Sequence, residues 1–234
     1  MNTPLKLAGF ALGLVTVFGA AVGVGHAVGP LGPDGEPVTA FDESHEEDLH
    51  LIAVRRDLSG FQHVHPALAS DGTWTTPLAL TPGTWRLFAD FVPSADGENR
   101  TLGADLAVPG AYDPTPIPSE SRTAEVDGYT VSLHGELVPG EESELSFQVS
   151  TGGRPVTDLQ PYLGAYGHLV VLRAGDLAYL HVHPAGEPGD GVTEPGPDVS
   201  FLSTAPSAGT YRLFLDFRHG DAVHTAAFTV EATS

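Results

Sequence analysis

The chain has 234 residues, with 30 Asp and Glu against 10 Lys and Arg, a formal net charge of −20. A field of that sign repels phosphate backbones and anionic head groups, which argues against nucleic acid as a partner and favours cations. Cysteine is absent and the single methionine is Met1, which removes disulfides, zinc–thiolate and iron–sulfur sites, thiol catalysis and thioether copper sites. Imidazole and carboxylate remain for metal chemistry, and there are 11 His.

In chain order, residues 1–29 come first. Leu7 to Val28 contain no Asp, Glu, Lys or Arg; Lys6 precedes the run, and Asp34 and Glu36 follow it. This is a charged start, an apolar stretch near bilayer length and an acidic exit. It predicts a hydrophobic helix that is either a signal anchor or a cleaved signal peptide, with Gly25 and Ala27 as a small-residue cleavage site. Both readings put the remainder of the chain outside the cytoplasm, tethered to the cell membrane in the first case and secreted in the second.

Residues 30–108 and 123–234 are copies of one unit. GEPVTAFDESHEEDLHLIAVRRDLSGFQHVHP (35–66) aligns without a gap on GRPVTDLQPYLGAYGHLVVLRAGDLAYLHVHP (153–184), with 11 identities in 32 positions. GTWRLFADF (83–91) matches GTYRLFLDF (209–217) at seven of nine positions. Residues 109–122 between the copies, rich in proline and without apolar periodicity, read as a stiff linker.

Inside each copy the signals are β. Leu49–Arg56 and Gly167–Arg173 are apolar and partly β-branched, whereas Trp85–Phe91 and Tyr211–Phe217 alternate, as do Tyr129–His134 and Leu145–Val149 within two strands expected at about Thr123–Leu137 and Glu144–Ser150. Turn residues recur throughout. The expected fold class is all-β: two small tandem antiparallel β-sandwiches after the N-terminal helix. Nothing ahead of the first copy matches the strands around 123–150 that precede the second. The first domain therefore looks short by one hairpin, and is either incomplete or completed by strands from the second domain or another chain.

Each copy carries His-x12-His-x-His-Pro: His50, His63 and His65, then His168, His181 and His183. Residues two apart on a strand share a face. A hairpin turning at Asp57-Leu58 sets His50 opposite His65, and one turning at Gly175-Asp176 sets His168 opposite His183. Directly opposed side chains have Cβ atoms about 4.5–5.5 Å apart. Three imidazoles per copy would then converge, at a spacing that suits Cu(II) or Zn(II). Asp90 and Asp216 recur on the face of Arg86 and Phe88, and of Arg212 and Phe214. Each is either a salt-bridge partner of Arg55 or Arg173, a fourth ligand, or an acceptor that orients an imidazole N–H. His219 and His224 flank a turn private to the second copy, and His45 and His134 read as solvated.

No G-x-S-x-G, phosphate-binding loop or dinucleotide fingerprint occurs, and no spacing singles out a catalytic triad. The expectation is a protein without catalysis.

The blocks HLIAVRRDLSGFQHVHP (50–66), GTWRLFADF, PVTDLQPYLGAYGHLVVLRAGDLAYLHVHP (155–184) and GTYRLFLDF resemble a family of bacterial membrane-anchored or secreted proteins. These are described as heavy-metal-binding or YtkA-like, with immunoglobulin- or cupredoxin-like sandwiches. The resemblance implies handling of copper or another metal outside the cytoplasm. The expected function is capture, buffering or delivery of Cu(II) or Zn(II) by one three-His site per repeat, with a metal transporter or other envelope protein as partner. The competing expectation is an immunoglobulin-like interaction module whose histidines only structure its hairpins.

Overall fold

The computed structural model describes residues 38–233, and the expected N-terminal helix lies outside them. The described residues are all β. No helix among them is long and apolar enough to cross a membrane.

The first repeat supplies β1 (Phe41–Asp42), β2 (Leu49–Arg55), β3 (Phe61–Val64), a small hairpin of β4 (Ala67–Leu68) and β5 (Trp74–Thr75), then β6 (Gly83–Pro93) and β7 (Arg100–Val108). The second supplies β8 (Thr123–Val126), β9 (Tyr129–His134), β10 (Glu142–Thr151), β11 (Arg154–Pro155), β12 (His168–Arg173), β13 (Tyr179–Leu180), β14 (Val182–Pro184), β15 (Asp198–Thr204), β16 (Gly209–His219) and β17 (Ala222–Ala232). β7, β15 and β17 carry no clear sequence signal. Ala in both β7 and β17, and Gly103 in β7, are residues that favour strands weakly.

The second repeat is a complete sandwich. One sheet runs β14-β15-β10-β9-β8 and the other β13-β12-β16-β17. Phe147, Phe201, Tyr211, Phe217 and Phe228 are fully buried between them. The first repeat builds only one comparable sheet, with β6 paired to β2, β7 and the short β1, and β3 on β2. Of the two expected tandem sandwiches, one forms whole. Among the described residues the first repeat has no counterpart of β8, β9 and β10, so its sheet closes against the second repeat instead.

Strand alternation explains that closure. On β12 and β16, Leu169, Val171, Leu213 and Leu215 face the sandwich interior. Val170, Leu172 and Phe214 face the other way and share a second core with Ile52, Val54, Leu58 and Phe88 of the first repeat. The β12–β16 sheet is thus buried on both faces, which is why HLVVLR and YRLFLDF carry near-continuous apolar runs. Each large side chain so buried contributes roughly 1.5–3 kcal/mol relative to exposure.

The two repeats meet through equivalent surfaces. Phe61 stacks on Phe214 at 4.1 Å between ring centroids, and the counterpart pair, Tyr179 and Phe88, lies at 5.6 Å. Arg86 sits over Phe88 as Arg212 sits over Phe214, both at 5.3 Å. This is the self-complementary pattern of a two-fold dimer, formed here within one chain.

Candidate metal centre

The hairpin registers follow the turn arithmetic. Leu51 pairs with Val64 and Ile52 with His63, so His50 and His65 come next in line. Ile52 and Val54, on the face of His50, lie in the inter-repeat core. His50, His63 and His65 therefore project between the repeats, with ring centroids 4.9–5.3 Å apart.

The second hairpin starts in the expected register, Val171 with Leu180 and Leu172 with Tyr179, and then stops. At residue 182 the chain leaves for the opposite sheet, where Val182 pairs with Ser203 of β15. The second repeat has a second sheet whose edge accepts this segment, whereas β3 has none to cross to. His168 and His183 are consequently not opposed. His181 and His183 still share a face, 4.2 Å between centroids, but that face is exposed. The expectation of one three-His site per repeat is corrected accordingly.

His168 instead joins the first repeat's histidines. Its ring lies parallel to that of His50, 5.5 Å away at 8°, and 4.5 Å from His63. One ring nitrogen from each of His50, His63 and His168 falls within a set spanning at most 4.8 Å. His45, expected to be solvated, is half-buried beside them, 6.0 Å from His50 and 5.8 Å from His168.

The far nitrogens of two rings are already engaged. His50 donates Nε2–H to the Ser44 carbonyl at 2.8 Å, leaving Nδ1 as its lone pair. Nδ1 faces His63 Nε2 at 3.0 Å. His63 Nδ1 meets Asp216 Oδ2 at 2.9 Å, and Thr225 donates its hydroxyl to Asp216 Oδ1 at 2.6 Å. If Asp216 is a carboxylate accepting from a neutral His63, two lone pairs point at each other across 3.0 Å. That arrangement needs a cation between them, either a proton or a metal. Two further buried nitrogens, His168 Nδ1 and His65 Nε2, have no hydrogen-bond partner.

Asp216 contacts His63 and Thr225, while Arg173 pairs with Asp176. The counterpart Asp90 is half-buried, lies opposite His50 in the strand register and accepts from Thr101 at 2.8 Å. Arg55 pairs with Asp57 at 3.6 Å. Neither aspartate takes the salt bridge to Arg55 or Arg173.

Burial governs the protonation of this cluster. Desolvation, then repulsion among neighbouring imidazoles, holds His63 and His168 well below the usual histidine value. Burial also lowers His50, although its bond to Ser44 opposes this, and lowers His65 and His45. Burial pushes Asp216 up to about 7, against the hydroxyl bond from Thr225.

His219 and His224 stand apart, and each meets a carboxylate of its own repeat: Asp158 at 3.1 Å and Asp127 at 2.8 Å. His134 is exposed.

A family model described as a domain of unknown function (DUF8832) matches residues 30–110 and 124–234. No curated protein matches significantly. Among solved structures, domains 4 and 5 of the S-layer protein SbsC align over 82% of this chain and 74% of theirs. They share 11% identity at a TM-score of 0.25, too slight a likeness to carry an argument.

Proposed function

The chain belongs to the DUF8832 family, and from that premise we propose that it is a non-catalytic metal-binding protein. It takes one Cu(II)- or Zn(II)-type ion between its repeats through His50, His63 and His168. The observation that carries this reading is the convergence of His50 Nδ1 and His63 Nε2 at 3.0 Å, with the outer nitrogens held by Ser44 and Asp216. Second partners of this kind fix ring tautomer and orientation in metal sites. The orphaned nitrogens of His168 and His65 fit further ligation better than a purely structural role.

A tetrahedral ion with bonds of about 2.0–2.1 Å wants ligand nitrogens about 3.3 Å apart. The ligand nitrogens lie within 4.8 Å of one another, so the widest separation must contract by at most about 1.5 Å. Imidazoles without thiolates suit Cu(II) or Zn(II), and their depressed protonation keeps the ligands free at neutral pH. The anionic chain concentrates cations nearby. The apolar run Leu7–Val28 supports placement outside the cytoplasm, where capture, buffering or hand-over to an envelope transporter is the role such a site would serve.

Isothermal titration of the full chain with Cu(II) and with Zn(II) tests this. One site per chain is expected. It should disappear in His63→Ala and His168→Ala and persist in the His181→Ala, His183→Ala double variant. Binding no tighter than to the unfolded chain would refute the proposal.

The competing reading, a module with purely structural histidines, draws on the same run of contacts from Ser44 to Thr225, which a shared proton could close without an ion. It predicts no dependence of stability on chelator.

A further inference from the structure

Among the described residues, β7 is the one long strand of the first repeat's sheet that pairs on a single side, and residues 101–107 are all exposed. It has nine residues, RTLGADLAV, with no proline and no lysine to blunt it. Its counterpart in the second repeat, β17, is not left open in this way, because Ser121 bridges to Thr229 and β8 lies against it.

We propose that β7 is the docking edge for a second copy of this chain, the two strands pairing antiparallel about Ala104. That register uses all nine residues and is self-complementary. Leu102 lies opposite Leu106 of the other copy, and Leu106 opposite its Leu102. These two leucines are among the few exposed large hydrophobics of the described chain, at 50% and 38%. Such cross-strand apolar pairs are the unit of sheet stabilisation. Leu102 also rims an apolar cavity of about 290 Å³ lined by Phe41, Leu49, Leu51, Trp74 and Phe91. Pairing therefore extends an existing apolar surface across the two-fold.

The opposite face of the strand is matched in charge. Asp105 comes to lie across from Gly103 of the other copy, so the two aspartates are not opposed. Gly103 is covered by a guanidinium: a Cβ placed there would meet Arg86 Nη2 at 2.3 Å. Arg86 already reaches its own Asp105 at 3.3 Å, and in the pair it stands beside the incoming Asp105 as well. Two chains of net charge −20 repel at long range, so the association is strengthened by salt, which screens that repulsion over about 10 Å at 0.1 M.

The absence of cysteine makes the test clean. Ala104→Cys puts two thiols on the two-fold, at the Cα separation of about 4.5–5.5 Å found in antiparallel pairs, which a disulfide spans. The full chain is kept in non-ionic detergent and oxidised with diamide, without added metal. Ala104→Cys should form covalent dimer at least about tenfold faster than Val192→Cys, which is 82% exposed on a loop, because pairing raises the effective thiol concentration. Adding Leu106→Asp to Ala104→Cys should abolish the difference. Equal rates for the two single-cysteine chains, or crosslinking indifferent to Leu106→Asp, would overturn the proposal. Metal binding plays no part in this readout, so its outcome is independent of the metal centre.

Discussion

His63 of the first repeat contacts Asp216 of the second at 2.9 Å, with both side chains almost completely buried. This one contact joins the repeats and sets which His63 nitrogen is free to face His50. Asp216→Asn separates its two roles. The amide can still accept from Thr225 and donate to His63 Nδ1, which forces the His63 proton onto Nε2 and into a hydrogen bond with His50. The fold is retained while the ligand lone pair is lost. The expected outcome is a melting temperature close to that of the parent apo chain and a metal affinity lower by at least about 10–100-fold, read by calorimetry.

The stack of Phe61 on Phe214, centroids 4.1 Å apart and planes within 4°, is the hydrophobic counterpart of that contact. Phe214→Ala should cost about 3–5 kcal/mol in denaturant unfolding, the range for a large aromatic lost from a packed core. A double-mutant cycle of Phe61→Leu with Phe214→Leu should return a coupling of about 0.5–1.5 kcal/mol. No coupling would mean that the repeats do not pack as described.

Acid acts on the cluster with a definite sign. His50, His63 and His168 have folded values depressed by burial. The unfolded chain therefore binds more protons below about 6.5, and stability is lost as the pH falls from there toward the depressed values. Each histidine that must stay uncharged adds of the order of 1.4 kcal/mol per pH unit. Asp216, raised to about 7, works the other way: its contribution is complete below the unfolded carboxylate value and lost as the pH rises through 7. Three histidines outweigh one aspartate. Metal-free stability should therefore fall steeply from about pH 6.5 to pH 5 and level off above about pH 7, where the loss of the Asp216 contribution offsets the last of the histidine gain, as read by urea denaturation in the presence of chelator.

The sequence made some of this legible because its signals were local. Hairpin turns fixed the registers at Ile52–His63 and Val171–Leu180, and alternation placed Asp90 on the face of Arg86 and Phe88 and Asp216 on that of Arg212 and Phe214, while only the strand pairing set them opposite His50 and His168. The choice of sheet for Val182 was not legible. It depends on β15, whose edge is brought there by a different part of the chain. For the same reason the cluster could not be seen to span the repeats. His168 meets His63 because two sheets pack, and no spacing along one strand encodes that. The asymmetry was readable as a missing hairpin ahead of the first copy, but not what would cover the exposed sheet. The answer lay in Val170, Leu172 and Phe214, whose unbroken apolar neighbourhood marked a sheet buried on both sides.

That asymmetry leads to a last expectation about autonomy. Residues 109–234 contain both sheets of a sandwich and its whole principal core, so this fragment should fold alone and give a cooperative melt. It would expose Val170, Leu172 and Phe214 to water, and each large apolar side chain uncovered forfeits roughly 1.5–3 kcal/mol. Its midpoint should lie well below that of the full chain. Among the described residues, 38–108 have one large sheet beside the small β4–β5 hairpin, its inner face is completed by the second repeat, and a single half-covered sheet lacks the burial to offset its ordering entropy. That fragment should show no cooperative transition by circular dichroism. A sharp, independent melt of residues 30–108 would mean that the first repeat is stable without the face it shares with β12 and β16.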